Sequence, residues 1–133
     1  MTLTKSLRTA AAALLLAGLS AGASFAQDKV TLPGENKVTS AEEVPADAIV
    51  VEIDKLKYQT PELTVKAGDT VTWVNKEVMP HNVAFKAGTA EEGELKGAMM
   101  TKGQAFSVTF NEAGTYDYHC TPHPFMRGKV IVE

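Results

Sequence analysis

The chain is 133 residues long, 44% of them hydrophobic and 22% charged, with a formal net charge of −3. A chain of this size and composition holds one small globular domain, which excludes a multidomain, repeat-built or disordered protein. The acidic balance also excludes a nucleic-acid binder, because gripping phosphates needs an excess of Lys and Arg.

Residues 1–26 have the pattern of an export signal. Lys5 and Arg8 form a positive start, Ala10 to Leu19 an apolar stretch, and Ser24-Phe25-Ala26 a small-residue cleavage site. The apolar stretch falls short of the roughly 20 residues that span a bilayer, so no membrane insertion is expected. Cleavage is expected before Gln27, leaving residues 27–133 as a single folded domain in the periplasm, acting as a monomer.

Residues 27–48 read as a loosely structured N-terminal extension, with turns at Pro33-Gly34 and Pro45 and a short β-prone piece at Lys29 to Leu32. From Ile49 the chain becomes a series of short β-prone runs separated by turn residues. These are Ile49 to Ile53, Glu62 to Val65, Thr70 to Val74, His81 to Phe85, Gln104 to Phe110, Thr115 to Cys120 and Lys129 to Val132. Ala67-Gly68-Asp69 has the composition of a hairpin connection between the second and third runs. Ala87 to Lys102, with its glycines and Glu91, Glu92 and Glu94, reads as a surface excursion that includes one helical turn. Outside the leader no stretch sustains a 3.6-residue apolar period, which predicts an all-β sandwich or barrel.

The single cysteine, Cys120, is informative in an exported chain, because a thiol that cannot pair within the chain is reactive, shared with another molecule, or a metal ligand. It begins the run Cys120-Thr121-Pro122-His123-Pro124-Phe125-Met126, so a thiol, an imidazole and a thioether share one short loop stiffened by two prolines. A second imidazole, His81, opens a β-run elsewhere. Taken singly, each of these side chains is ordinary core or loop material. Together, two His, one Cys and one Met form the donor set of a blue-copper site, where soft sulfur favours Cu(I) and imidazole accepts both oxidation states. His81, Cys120, His123 and Met126 are therefore the candidate copper ligands. His119 precedes Cys120 in a strand, so its side chain should face away.

Other chemistries fit less well. A structural zinc site wants more Cys and His and has little use for Met, although Zn2+ could occupy this one. A c-type haem needs Cys-x-x-Cys-His. A Cys-His nucleophile needs an open cleft beside its thiol. An enzyme with a second copper centre needs more than the three histidines present.

The stretch Met79-Pro80-His81-Asn82, the strand Tyr116 to Cys120 and the compact loop ending Met126-Arg127-Gly128-Lys129 resemble the cupredoxins, in particular those with the shortest Cys-x2-His-x2-Met loop. The resemblance implies a Greek-key β-sandwich with one copper ion at one pole, held by the four candidates. It implies that Asn82 ties the His81 segment to the Cys120 loop, and that His123 is where electrons enter. It further implies a non-enzymatic carrier that takes electrons from methylamine dehydrogenase and passes them to a c-type cytochrome. Met79, Pro80, Met99, Met100, Pro122, Pro124 and Phe125 would form an apolar collar around His123, rimmed by Lys96, Lys102 and Arg127. The competing reading is a periplasmic protein that stores or delivers copper, a role that favours flexible, exchangeable ligands over a stiff loop.

Overall fold

A computed structural model describes Gly22 and residues 27–133. The expected leader, residues 1–26, therefore lies outside the described residues except for Gly22. Among the described residues there are eleven strands and one short 3-10 turn, Ala41–Glu43. In chain order the strands are β1 (Val30–Thr31), β2 (Thr39–Ser40), β3 (Ile49–Asp54), β4 (Lys57–Tyr58), β5 (Glu62–Val65) and β6 (Thr70–Asn75). They continue as β7 (Ala84–Phe85), β8 (Leu95–Lys96), β9 (Gln104–Phe110), β10 (Gly114–His119) and β11 (Arg127–Val132).

The strands form two sheets, as expected for an all-β sandwich. One has the order β1-β9-β6-β3-β4, with β2 also on β9; the other has the order β5-β11-β10-β7-β8. Period-two patterning drives this arrangement. In β9, Phe106, Val108 and Phe110 are buried, while Ser107 and Thr109 point the other way. There they pair across to β6, with Thr109 Oγ1 2.6 Å from Thr70 Oγ1 and Ser107 Oγ 2.8 Å from Thr72 Oγ1. The inner faces meet in a core of Val51, Ile53, Val71, Trp73, Phe85, Val130 and their neighbours. Trp73 from one sheet lies edge-on to Tyr118 from the other, with ring centres 5.2 Å apart.

Several expectations need correction. Residues 27–48 are built into the sandwich: Val30 pairs with Phe110, Thr39 pairs with Ala105, and the Val30 side chain is buried. Their β-propensity is low, and they are ordered because they lie along the outer edge of β9. Ala67-Gly68-Asp69 does not close a hairpin. β5 pairs in parallel with β11, whereas β6 lies in the other sheet between β3 and β9. The turn is tight all the same, with Gly68 at φ 96° and the Asp69 carboxylate accepting from the Lys66 N–H. Turn chemistry fixes where the chain bends, not which strands then pair. Residues 87–102 hold no helical turn; they contain β8 and a bridge between Met100 and His81, and bury Ala90, Leu95 and Met100.

Candidate metal centre

Three loops meet at one pole of the sandwich, and hydrogen bonds tie them together. β6 ends on the fully buried Asn75, whose side-chain amide donates to the carbonyls of Met79 and Met100, each at 2.9 Å. Its carbonyl oxygen accepts from the Glu77 N–H at 3.0 Å. Asn75 thus shapes the 76–80 loop and docks it on the Met100 segment. His81 then exchanges both backbone bonds with Met100, at 3.1 and 2.8 Å, and its ring is wholly buried.

The next residue joins this segment to the third loop. Asn82 Oδ1 accepts from the Thr121 N–H at 2.8 Å, and Nδ2 donates to Thr121 Oγ1 at 2.9 Å and to the Gly97 carbonyl at 3.1 Å. This is the connection expected of Asn82. Its own carbonyl accepts from the Tyr58 hydroxyl at 2.6 Å in a buried setting. Tyr58→Phe should leave that carbonyl without a partner and cost about 1–3 kcal/mol of stability. Thermal melts of the metal-free variant would measure the loss.

The third loop is closed by its own backbone. Cys120 N donates to the Met126 carbonyl at 3.1 Å, His123 N to the Cys120 carbonyl at 3.2 Å, and Met126 N to the His123 carbonyl at 2.9 Å. Each of these bonds joins two candidate ligands, so the Cys-x2-His-x2-Met spacing is also the spacing of a self-bonded turn. Cys120 Sγ lies 3.6 Å from His81 Nδ1 and 3.6 Å from His123 Nδ1. The donor atoms of these three residues all fall within 4.8 Å of one another. Met126 is buried in the same turn, whereas His123 is half-buried between the exposed Pro122 and Pro124. His119 lines a surface cavity of about 490 Å³ with Lys86, Asp117 and Arg127 and is not among the three converging residues, in keeping with strand alternation.

Burial pushes the Cys120 thiol above its ordinary range, and the backbone N–H groups of Asn82 and His123 facing the sulfur offset this only in part. A cation is what would make the thiolate stable here. Two imidazole nitrogens, one such sulfur and a neighbouring buried thioether fit copper, with no carboxylate in the converging set to favour a harder ion.

Sequence comparison agrees with this chemistry. Residues 45–133 match the sequence profile of the copper binding proteins of the plastocyanin/azurin family. The chain belongs to that family. It is 63% identical over 129 residues to amicyanin from Paracoccus versutus, covering 97% of each chain, and 61% identical over 127 residues to amicyanin from Paracoccus denitrificans, covering 96% of this chain and 95% of that one. The crystal structure of the Paracoccus versutus amicyanin superposes with a TM-score of 0.78 at 66% identity, covering 80% of this chain and all of that one. The protein is thus an amicyanin-type cupredoxin, a copper-binding electron carrier, and no described helix is long and apolar enough to cross a membrane.

One residue at this pole carries no signal in the sequence. Glu77 contacts His81 Nε2 directly, and the same carboxylate oxygen accepts from the Leu56 N–H at 3.0 Å. Burial disfavours its ionisation, but the Leu56 N–H, the His81 ring and the Lys55 N–H outweigh this and hold its carboxyl below the usual range. Of the expected collar, Met79, Pro80, Met99, Pro122, Pro124 and Phe125 are exposed, while Met100 is fully buried and belongs to the core.

Proposed function

We propose that His81, Cys120, His123 and Met126 hold a single copper ion, and that the protein carries one electron at a time in the periplasm from methylamine dehydrogenase to a c-type cytochrome, with no turnover of its own. The observation that carries this reading is the convergence of the His81 and His123 imidazoles on the Cys120 thiol, with His123 only half-buried. Bound copper supplies the one-electron couple. The protein's part is to hold the donors still: Asn75, Asn82 and the three backbone bonds within the 120–126 turn leave little freedom to rearrange. That stiffness favours a carrier over a delivery protein.

His123 is the candidate ligand that reaches the surface, and its surroundings suit a transient partner. Phe125, 67% exposed, lies edge-on to the His123 ring at 6.0 Å, and Met79 and Met99 are 44% and 42% exposed. Lys96, Lys102 and Arg127 are exposed and available to set encounter rate and its salt dependence. An apolar patch with a charged rim suits short-lived contact, where a small area permits rapid release.

Mixing the oxidised, copper-loaded protein with methylamine-reduced dehydrogenase and following the visible band tests the proposal. Rapid bleaching, followed by recovery on adding a c-type cytochrome, is expected. A colourless protein that takes up only Cu(I) would instead support delivery. Met126→Ala should retain copper and its colour but shift the reduction potential, because the axial thioether is the weak ligand. Voltammetry reads the shift, and complete loss of copper would contradict the axial role.

A further inference from the structure

We propose that Glu77 is a positioning residue for the metal centre: it locks His81 in the tautomer that presents Nδ1 to copper, and its negative charge lowers the reduction potential. This rests on His81 being a ligand, and three features of the site carry it.

The first is orientation. His81 is wholly buried, its Nδ1 faces the Cys120 sulfur at 3.6 Å, and its Nε2 meets Glu77 on the opposite edge of the ring. A carboxylate accepts hydrogen bonds, so the proton sits on Nε2 and the lone pair is left on Nδ1. The second is that Glu77 is itself held. Its side chain is only 20% exposed, and the oxygen that meets His81 also takes the Leu56 N–H. Its own N–H is bound to Asn75 Oδ1. The third is what supplies the Leu56 N–H. Lys55 and Leu56 connect β3 to β4 with φ of 54° and 58°, both in the left-handed region that non-glycine residues seldom adopt. This turn bonds the same Glu77 oxygen that meets His81, so the β3–β4 connection buttresses the ligand through one carboxylate.

A carboxylate bonded to the far nitrogen of a ligand imidazole makes that imidazole a stronger donor. A stronger donor favours Cu(II) over Cu(I), hence the lower potential.

Two variants at Glu77 and one spectrum test this, with a third variant, at His81, as the control. In the metal-free protein, long-range 1H–15N correlation should show His81 as the Nε2–H tautomer, a readout that needs no copper; an Nδ1–H tautomer would overturn the proposal. Glu77→Gln keeps an oxygen for both N–H groups and removes the charge. It should remain blue, bind Cu(II) within a few-fold of the parent, and have a higher reduction potential by voltammetry. Glu77→Ala, which loses the acceptor, should weaken Cu(II) binding by about 10- to 100-fold. An unchanged potential in Glu77→Gln together with unchanged affinity in Glu77→Ala would overturn the proposal. A separate His81→Ala variant that keeps the blue band would remove His81 from the ligand set, a failure that the tautomer measurement distinguishes from failure of the Glu77 contact.

Discussion

Cys120→Ser is expected to lose the intense visible band and the reversible one-electron cycle while keeping the fold. Serine is close to cysteine in size, and the N–H groups of Asn82 and His123 that face the sulfur can bond a hydroxyl in its place, so the fully buried site tolerates the exchange. What disappears is the soft, deprotonable donor. An alcohol beside two imidazoles does not ionise at neutral pH and has little affinity for Cu(I), so the couple is lost even where Cu(II) still binds. The thiol also gives the parent a pH signature. Because burial raises the Cys120 pKa, the metal-free protein holds that proton at neutral pH and releases it when copper binds. Protons therefore compete with the metal, and copper affinity should fall as pH falls, by about tenfold per unit for one released proton. Copper should also raise the parent's melting temperature, by the equivalent of about 4 kcal/mol at a thousandfold excess over Kd, and raise the variant's far less. Absorption reads the band, voltammetry the couple, copper titrations at several pH values the affinity, and paired melts with and without copper the stabilisation. A variant that stays blue and cycles would remove Cys120 from the site.

How much of this could be read from the sequence follows from how local each feature is. Cys120, His123 and Met126 share one turn whose bonds run between the ligands themselves, so their spacing already encodes geometry. His81 stood out by residue type, a lone imidazole after Pro80 at the head of a β-run, although only Ala84–Phe85 of that run forms a regular strand. The all-β architecture followed from the short β-prone runs and from the lack of any sustained 3.6-residue apolar period outside the leader. Pairing partners did not follow: β5 pairs with β11, which is distant in sequence, and nothing in Glu62 to Val65 names that partner. Met100 looked like a collar residue beside Met99 because neighbours in an irregular segment carry no fixed periodicity, yet one is buried and the other exposed. The β3–β4 turn lacks glycine, and Lys55-Leu56 gives no turn signal despite its left-handed backbone. Glu77 was invisible for the same reason: its role depends on that turn and on a loop shaped by Asn75.

Gly128→Ala should be strongly destabilising although it adds a single methyl. Gly128 lies opposite Tyr118 in the β10–β11 register, and a Cβ at Gly128 would overlap Cζ, Oη and Cε2 of the Tyr118 ring. The ring has nowhere to retreat. It packs edge-on against Tyr58 at 4.7 Å and Trp73 at 5.2 Å, with Phe85 at 5.9 Å, and Tyr118 is 2% exposed. Relief must come from prising β11 from β10 or from displacing the aromatic cluster that joins the two sheets. Overpacking of a well-filled core costs typically about 1–3 kcal/mol and occasionally more, and an overlap with three atoms of a trapped ring belongs at the upper end. For a domain of this size each kcal/mol lowers Tm by roughly 4–8 °C. Tyr118 also precedes Cys120 by two residues on the same strand face, so a displaced ring should disturb the thiol and alter the visible band of the copper-loaded variant. Melts within about 0.5 kcal/mol of the parent would show that the ring has room after all, since that is the range of an ordinary surface exchange. A second substitution locates the strain. The Tyr118 hydroxyl is buried without a hydrogen-bond partner, so Tyr118→Phe removes one of the three overlapping atoms at little cost in bonding. In the Gly128→Ala background it should recover part of the lost stability, while the remaining overlaps at Cζ and Cε2 keep the double variant below the parent.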